Sequence, residues 1–343
     1  MAEAEAEAEA EADPKEENES SYQRYKILIS SLPKEEGWAS ENYFCHYQGF
    51  WYPDILCPGV FAVQDHFKAR SSDIIIATTP KSGTTWIKAL LFAAVNRGMY
   101  PPTYNHHPLL SENPQLLVPF LELRLYKSKI IPDFDILPDI ETLPSPRLFG
   151  THIPFTSLPQ SMIDSGSRIV YLYRNPKDVF VSMWHFNNKM RAAVSKPPLS
   201  AMEAFDRFCK GVSQFGPFWD HVLVYWRASL ERLQQVLFIK YEELQADPGG
   251  VLKRVAHFVG FPFTSEEEKE QGLVDKILRL CSFENLSSLE VNKTGKHSSG
   301  LGYEAFFRKG KVGDWANYLT SEMIERIDQI TEEKFHGHGL KFC

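Results

Sequence analysis

DIIIATTPKSGTTWIKALLFAAVNR, residues 73–97, decides how the chain folds. Asp73–Thr78 is an apolar run of strand length, the pattern of a strand covered on both faces. Thr79–Thr84 breaks it with Pro80 and Gly83, and residues 85–97 have helical composition and spacing. The order is strand, polar loop, helix. A glycine there lets the backbone approach a ligand, and the first amides of the helix favour an anion. Lys81 adds a charge, and Ser82, Thr84 and Thr85 add hydroxyls. A phosphate is the expected guest; the plain alternative is a βα turn with a surface lysine. The loop is not the Walker pattern, since Lys81 precedes Gly83, and no GxGxxG occurs.

Outward from this unit the rhythm repeats. Ser167–Tyr173 reads as a second strand, with Asn175 as N-cap and Pro176 at the first position of a helix continuing through 177–189. Val236–Ile239 is a further buried strand. Helices are expected at 201–212, 217–231, 248–259, 265–280 and 320–334. Upstream, a short helix from Tyr22 ends near Pro33, residues 43–52 are aromatic and strand-like, and 57–69 are helical. Residues 98–145 are Pro-rich loops with a helix near 113–123. Alternating strands and helices imply an α/β fold, a single domain with a central parallel sheet flanked by helices, over residues 21–343.

Bulk composition narrows the class. The 343 residues are 43% hydrophobic and carry a net charge of -7. Residues 1–20 hold nine acids and one base, so they account for -8 and leave the rest at +1. The Ala/Glu alternation in that stretch has no apolar face and is expected to be a disordered acidic tail. A near-neutral body gives no footprint for nucleic acid. Five scattered cysteines without a CxxC suit reduced thiols. With no apolar leader and no 18-residue apolar run, a cytosolic protein without a membrane partner is expected.

Two more clusters suit an anion. Arg174 ends a predicted strand, at the carboxyl edge where parallel sheets bind ligands, and Ser182 sits inside the next helix. Arg308, Lys309 and Gly310 belong to a basic, glycine-bearing stretch, RKGKVGDW, residues 308–315. Taken singly, a helix-capping or salt-bridging arginine and a solvated basic turn are the better explanations.

Taken together they resemble the cytosolic sulfotransferase family. PKSGTTW (80–86) resembles its phosphosulfate loop, P-loop-like in design; YRNPKDVFVSMW (173–184) and FRKGKVGDWANYLT (307–320) resemble its other two signatures. They fall in the family's order, and the resemblance spans about residues 22–343. NHHPLLSENPQLLVPFLE (105–122) and CSFENLSSLEVNK (281–293) resemble the plant branch.

The resemblance implies a sulfotransferase that moves a sulfuryl group from 3′-phosphoadenosine 5′-phosphosulfate to a hydroxyl of a small apolar acceptor, without a metal. It implies that Lys81 meets the bridging and sulfuryl oxygens. Ser82, Gly83, Thr84 and Thr85 hold the 5′-phosphate, and Trp86 and Phe283 flank the adenine. Tyr241 reaches the adenine edge; Arg174, Ser182, Arg308, Lys309 and Gly310 hold the 3′-phosphate. His152, in GTHIP (150–154), is the general base; read without the family, it is one of eleven histidines and more simply structural. Competing readings are a P-loop-type nucleotide kinase and a non-catalytic nucleotide or small-molecule binding protein.

Two departures stand out. Gly150 occupies a position where mammalian members carry lysine, which removes a positive charge near the acceptor. The mammalian dimer motif is absent, so no oligomeric state is inferred. Aromatic candidates for the acceptor pocket are Phe50, Trp51, Tyr52, Phe155, Trp184, Phe186, Phe215 and Phe218, with core as the competing role for each. Loops 98–112, 189–200 and 294–304 are expected to shape its mouth. The acceptors implied by the plant branch are flavonols, hydroxyjasmonates, brassinosteroids, salicylate-like phenols and desulfo-glucosinolates.

Overall fold

A computed structural model describes residues 14–39, 41, 43–125, 140–269, 271–296 and 300–341. The decisive stretch folds as read: strand β4 is Ile74–Thr78 and helix α3 is Thr84–Val95. Before them come helix α1 (Pro14–Ser31), strands β1 (Lys34–Glu36), β2 (Tyr43–Tyr47) and β3 (Phe50–Pro53), and helix α2 (Cys57–His66). After them come β5 (Leu148–Thr151), β6 (Arg168–Tyr173), helix α4 (Pro176–Ala193) and β7 (Val236–Lys240).

Strands β4 to β7 form a parallel sheet in the order β5-β4-β6-β7. Every residue of β4 is buried, because neighbours flank it on both edges and helices cover both faces. Its side chains alternate between two cores. Ile75 and Ala77 join Phe149, Ile169, Tyr171 and Tyr173 on one face. Ile74 and Ile76 join Val170, Leu172, Ile239 and the α3 residues Leu90 and Leu91 on the other. The amino ends are clamped by Arg147, whose Nη2 and Nε donate to Asp73 Oδ2 and Oδ1 at 2.6 and 2.8 Å, both side chains fully buried.

The aromatic run 43–52 divides into an antiparallel hairpin at Gln48 and Gly49, both with positive φ, and β1 adds a third strand. Asn175 caps α4 as expected, its side chain accepting from the Lys177 amide, with Pro176 following. The helix expected near 113–123 is only a turn, Pro114–Leu117, followed by a π-helical turn at Leu121–Leu125. Pro119 explains the break, since the residue before a proline avoids helical geometry. The helix expected over 265–280 is split into Ser265–Lys269 and Leu273–Leu280, with Gly272 left-handed between them. Helix α1 begins at Pro14, inside the stretch read as tail; residues 1–13 lie outside the described residues.

Candidate active site

All four parallel strands deliver residues to one cavity of about 550 Å³ at their carboxyl ends. The loop after β4 brings Lys81, Gly83, Thr84, Thr85 and Trp86; β5 is followed by His152, β6 by Arg174 and β7 by Tyr241. Helix α4 adds Ser182, the helix Phe283–Ser288 adds Phe283, and the C-terminal basic stretch adds Arg308, Lys309 and Gly310. Ser82 is the exception among the residues singled out: it is buried behind the wall, and its hydroxyl meets Thr79 Oγ1 at 2.5 Å.

The loop is shaped to leave amides exposed. Gly83 has φ 104°, and a Cβ there would come within 2.6 Å of Tyr241 Cδ2. Glycine is therefore required twice, by conformation and by space. Helix α3 starts immediately after it, so its first amides have no intrahelical acceptor. The Thr84 hydroxyl is already paired with Thr78 Oγ1 at 2.8 Å, and Thr85 Oγ1 accepts from Gln115 Nε2 at 3.0 Å.

Around these amides lies positive charge. Burial first, then repulsion from Lys189, Arg174 and Arg308, pushes Lys81 down to about 7. Its ammonium rests 3.9 Å from the centre of the Phe186 ring. Arg174 lies over the Tyr241 ring at 4.3 Å and donates from Nη2 to the Lys311 carbonyl at 2.8 Å, while its buried Nε has no acceptor. Asp314 holds both Arg308 and Lys309, and pairing with them and with Asn317 outweighs burial to lower its carboxyl to about 2. Asp178, in the first turn of α4, accepts from the amides of Gly313 at 2.9 Å and Trp315 at 3.2 Å. It ties the C-terminal stretch to α4. Gly310 also has positive φ, and a Cβ there would meet Phe283 at 2.7 Å.

His152 lines the same cavity, between the rings of Phe120 and Phe215 at 4.5 and 5.4 Å. Its Nδ1–H donates to the Thr78 carbonyl at 2.7 Å, which leaves Nε2 as the basic nitrogen. Burial lowers its pKa to about 3, against the opposing pull of that hydrogen bond, so the imidazole is neutral at physiological pH. Its amide donates to Glu122 Oε1 at 2.6 Å, and its carbonyl accepts from His221 Nε2 at 2.9 Å. Sequence reading missed Glu122, a carboxylate pushed up to about 7 by burial, and the buried Lys88. A Cβ on Gly150 would fall 2.7 Å from Lys88 Nζ. Lys88 on α3 thus packs against Gly150 and leaves no room for a side chain there.

Of the aromatic candidates, Phe186 and Phe215 line the cavity; Phe50, Tyr52 and Phe218 are core, and Trp51, Phe155 and Trp184 pack against it. Leu301 lines it from the expected loop 294–304, nothing from 98–112 does, and Met190, in the stretch expected as loop 189–200, lines it from α4, which continues to Ala193.

Comparison with known proteins gives a consistent result. A model described as "Sulfotransferase domain" matches residues 71–339. Cytosolic sulfotransferase 5 of Arabidopsis thaliana is 50% identical over 317 residues, covering 92% of this chain and 96% of the relative. A crystal structure of an Arabidopsis thaliana putative steroid sulphotransferase is 43% identical, with a TM-score of 0.73 and coverage of 94% of this chain and 96% of that one. A mouse sulfotransferase crystallised with PAP is 26% identical, with a TM-score of 0.64 and coverage of 86% and 94%.

Proposed function

The chain belongs to the sulfotransferase family, and we propose that this cavity carries out the family's reaction with His152 as general base and Lys81 as the cation at the leaving oxygen. The enzyme transfers a sulfuryl group from 3′-phosphoadenosine 5′-phosphosulfate to a hydroxyl of a small acceptor. The convergence of Lys81, Arg174 and Arg308 from three distant stretches on one cavity that also contains His152 carries this reading.

The residues fit the donor. The helix α3 amides and Thr85 suit the 5′-phosphate. Arg174, with its unpaired buried Nε, joins Ser182, Arg308, Lys309 and Gly310 for the 3′-phosphate. Trp86 and Phe283 suit the two faces of the adenine, with Tyr241 at its edge. Ser82 shapes the loop from behind, its hydroxyl on Thr79 Oγ1 and its amide donating to the Thr79 carbonyl at 3.4 Å.

The chemistry is mainly positioning and electrostatics. The Thr78 carbonyl fixes the His152 tautomer, and Nε2 takes the acceptor's hydroxyl proton as the oxygen–sulfur bond forms. Lys81 neutralises the phosphate oxygen from which sulfur departs. The wall beyond His152 is apolar, with Ile55, Leu56, Phe120, Leu123, Phe215 and Leu301. It suits a largely apolar hydroxylated acceptor, such as the flavonol, steroid or phenol classes. We place the enzyme in the cytosol, as its relatives' names do; among the described residues no helix is long and apolar enough to cross a membrane.

A transfer assay with radiolabelled donor, run without added metal against a panel of hydroxylated acceptors, tests the reading. Label should appear in at least one acceptor. Failure with every acceptor, together with magnesium-dependent ATP turnover, would instead support a kinase.

A further inference from the structure

Lys88 is a fully buried cation on α3, one turn beyond the phosphate-binding loop, and it does not line the cavity. An ammonium in that setting needs compensation. Part of it comes from Phe120, whose ring centre lies 3.2 Å from Nζ, and part from Glu122, whose carboxyl feels the lysine charge. The rest is directional. Lys88 Nζ donates to Gln115 Oε1 at 2.8 Å, and Gln115 Nε2 donates to Thr85 Oγ1 at 3.0 Å.

The polarity of this chain is fixed at its start. An ammonium has protons and no lone pair, so Gln115 must turn its oxygen to Lys88 and its amino group to Thr85. Thr85 Oγ1 therefore accepts from behind, and its own proton remains to be donated. Thr85 lines the cavity, in the first turn of α3, beside the helix amides. Without the lysine, the amide could reverse, and the threonine hydroxyl would be spent on the amide oxygen.

We propose that Lys88 is a positioning residue for the sulfuryl donor: acting through Gln115, it holds the Thr85 hydroxyl as a hydrogen-bond donor toward the nucleotide's 5′-phosphate. The inference rests on the sulfotransferase reading of the loop. It gives a fully buried charge a role, where an aliphatic side chain would carry no desolvation cost.

The test is a double-mutant cycle read by calorimetric titration of adenosine 3′,5′-bisphosphate, which needs neither acceptor nor turnover. Lys88→Met and Thr85→Val should each weaken binding about tenfold, the scale of one charge-assisted hydrogen bond. The double variant should also be about tenfold weaker, since both changes remove the same donor. In the transfer assay, Lys88→Met should raise the donor KM and retain turnover at saturating donor. Unchanged affinity in Lys88→Met, or a double variant about a hundredfold weaker, overturns the role of Lys88. Unchanged affinity in Thr85→Val overturns the reading of the loop itself, and the proposal with it. Where Lys88→Met does not yield folded protein, Gln115→Leu replaces it in the same cycle, with the same outcomes.

Discussion

Gly83 and His152 show what one residue decides. Gly83→Ala must carry its methyl group at φ 104°, 2.6 Å from the Tyr241 ring. Donor binding should collapse while the fold persists; calorimetry with the bisphosphate and thermal unfolding separate the two. His152→Ala should lower turnover by about 10²–10⁴-fold, the worth of a positioned base. Bisphosphate affinity should stay near that of the parent, because none of the proposed phosphate or adenine contacts is made by the imidazole. Near-normal turnover would remove His152 from the role. Gly83 was legible in the sequence because a glycine between an apolar strand and a helix has a physical reason to be there. Glu122 was not: it sits in the run LLVPFLELRL, residues 116–125. Nothing local reveals that its carboxylate receives the amide of His152, the residue after β5, 30 residues away.

At the scale of elements, two carboxylates hold segments in place, one beside the cavity and one away from it. Asp178 joins α4 to the backbone of Gly313 and Trp315. Asp178→Ala should release that segment and raise the donor KM at least about tenfold, the cost of losing one such bond. Turnover at saturating donor should change less. An unchanged KM would detach Asp178 from donor binding. Asp73 meets Arg147 at the opposite end of the sheet, away from the cavity. Arg147→Ala should cost about 3–5 kcal/mol of stability, because it strands a buried carboxylate. A shift in Tm with an unaltered donor KM is the expected signature. Strands β4, β6 and β7 and helices α3 and α4 were legible from composition and spacing, whereas the four-residue strand β5 was not. Residues 98–125 were not, because their path is set by contacts such as the bridge from Phe120 to Gly150; residues 126–139 lie outside the described residues. Asn113 donates to Asn292 at 2.7 Å, joining the two stretches that resembled the plant branch. That pairing shows only in three dimensions.

For the molecule as a whole, the cavity is a concentration of positive charge in a nearly neutral body. Lys81 in the open cavity is pulled down to about 7, chiefly by burial and then by its cationic neighbours. An anionic donor favours the charged form and so raises that value. Donor binding should therefore take up a proton above pH 7, and donor affinity should fall as pH rises through and beyond that point. His152, neutral down to about pH 3, should impose no loss of activity between pH 8 and pH 6. A donor KM that is flat across pH 6 to 9 would contradict the assignment of Lys81.

The claim beneath all of this is that separate stretches of chain meet around a nucleotide bearing two phosphate groups. Titrating adenosine 3′,5′-bisphosphate and adenosine 5′-monophosphate into the parent protein, Arg174→Ala and Arg308→Ala tests it most directly. The parent should prefer the bisphosphate by about a hundredfold, two charge-assisted contacts' worth, and each substitution should cut that preference to about tenfold. Equal affinity of the parent for the two nucleotides, or a preference undiminished by either substitution, would contradict the account.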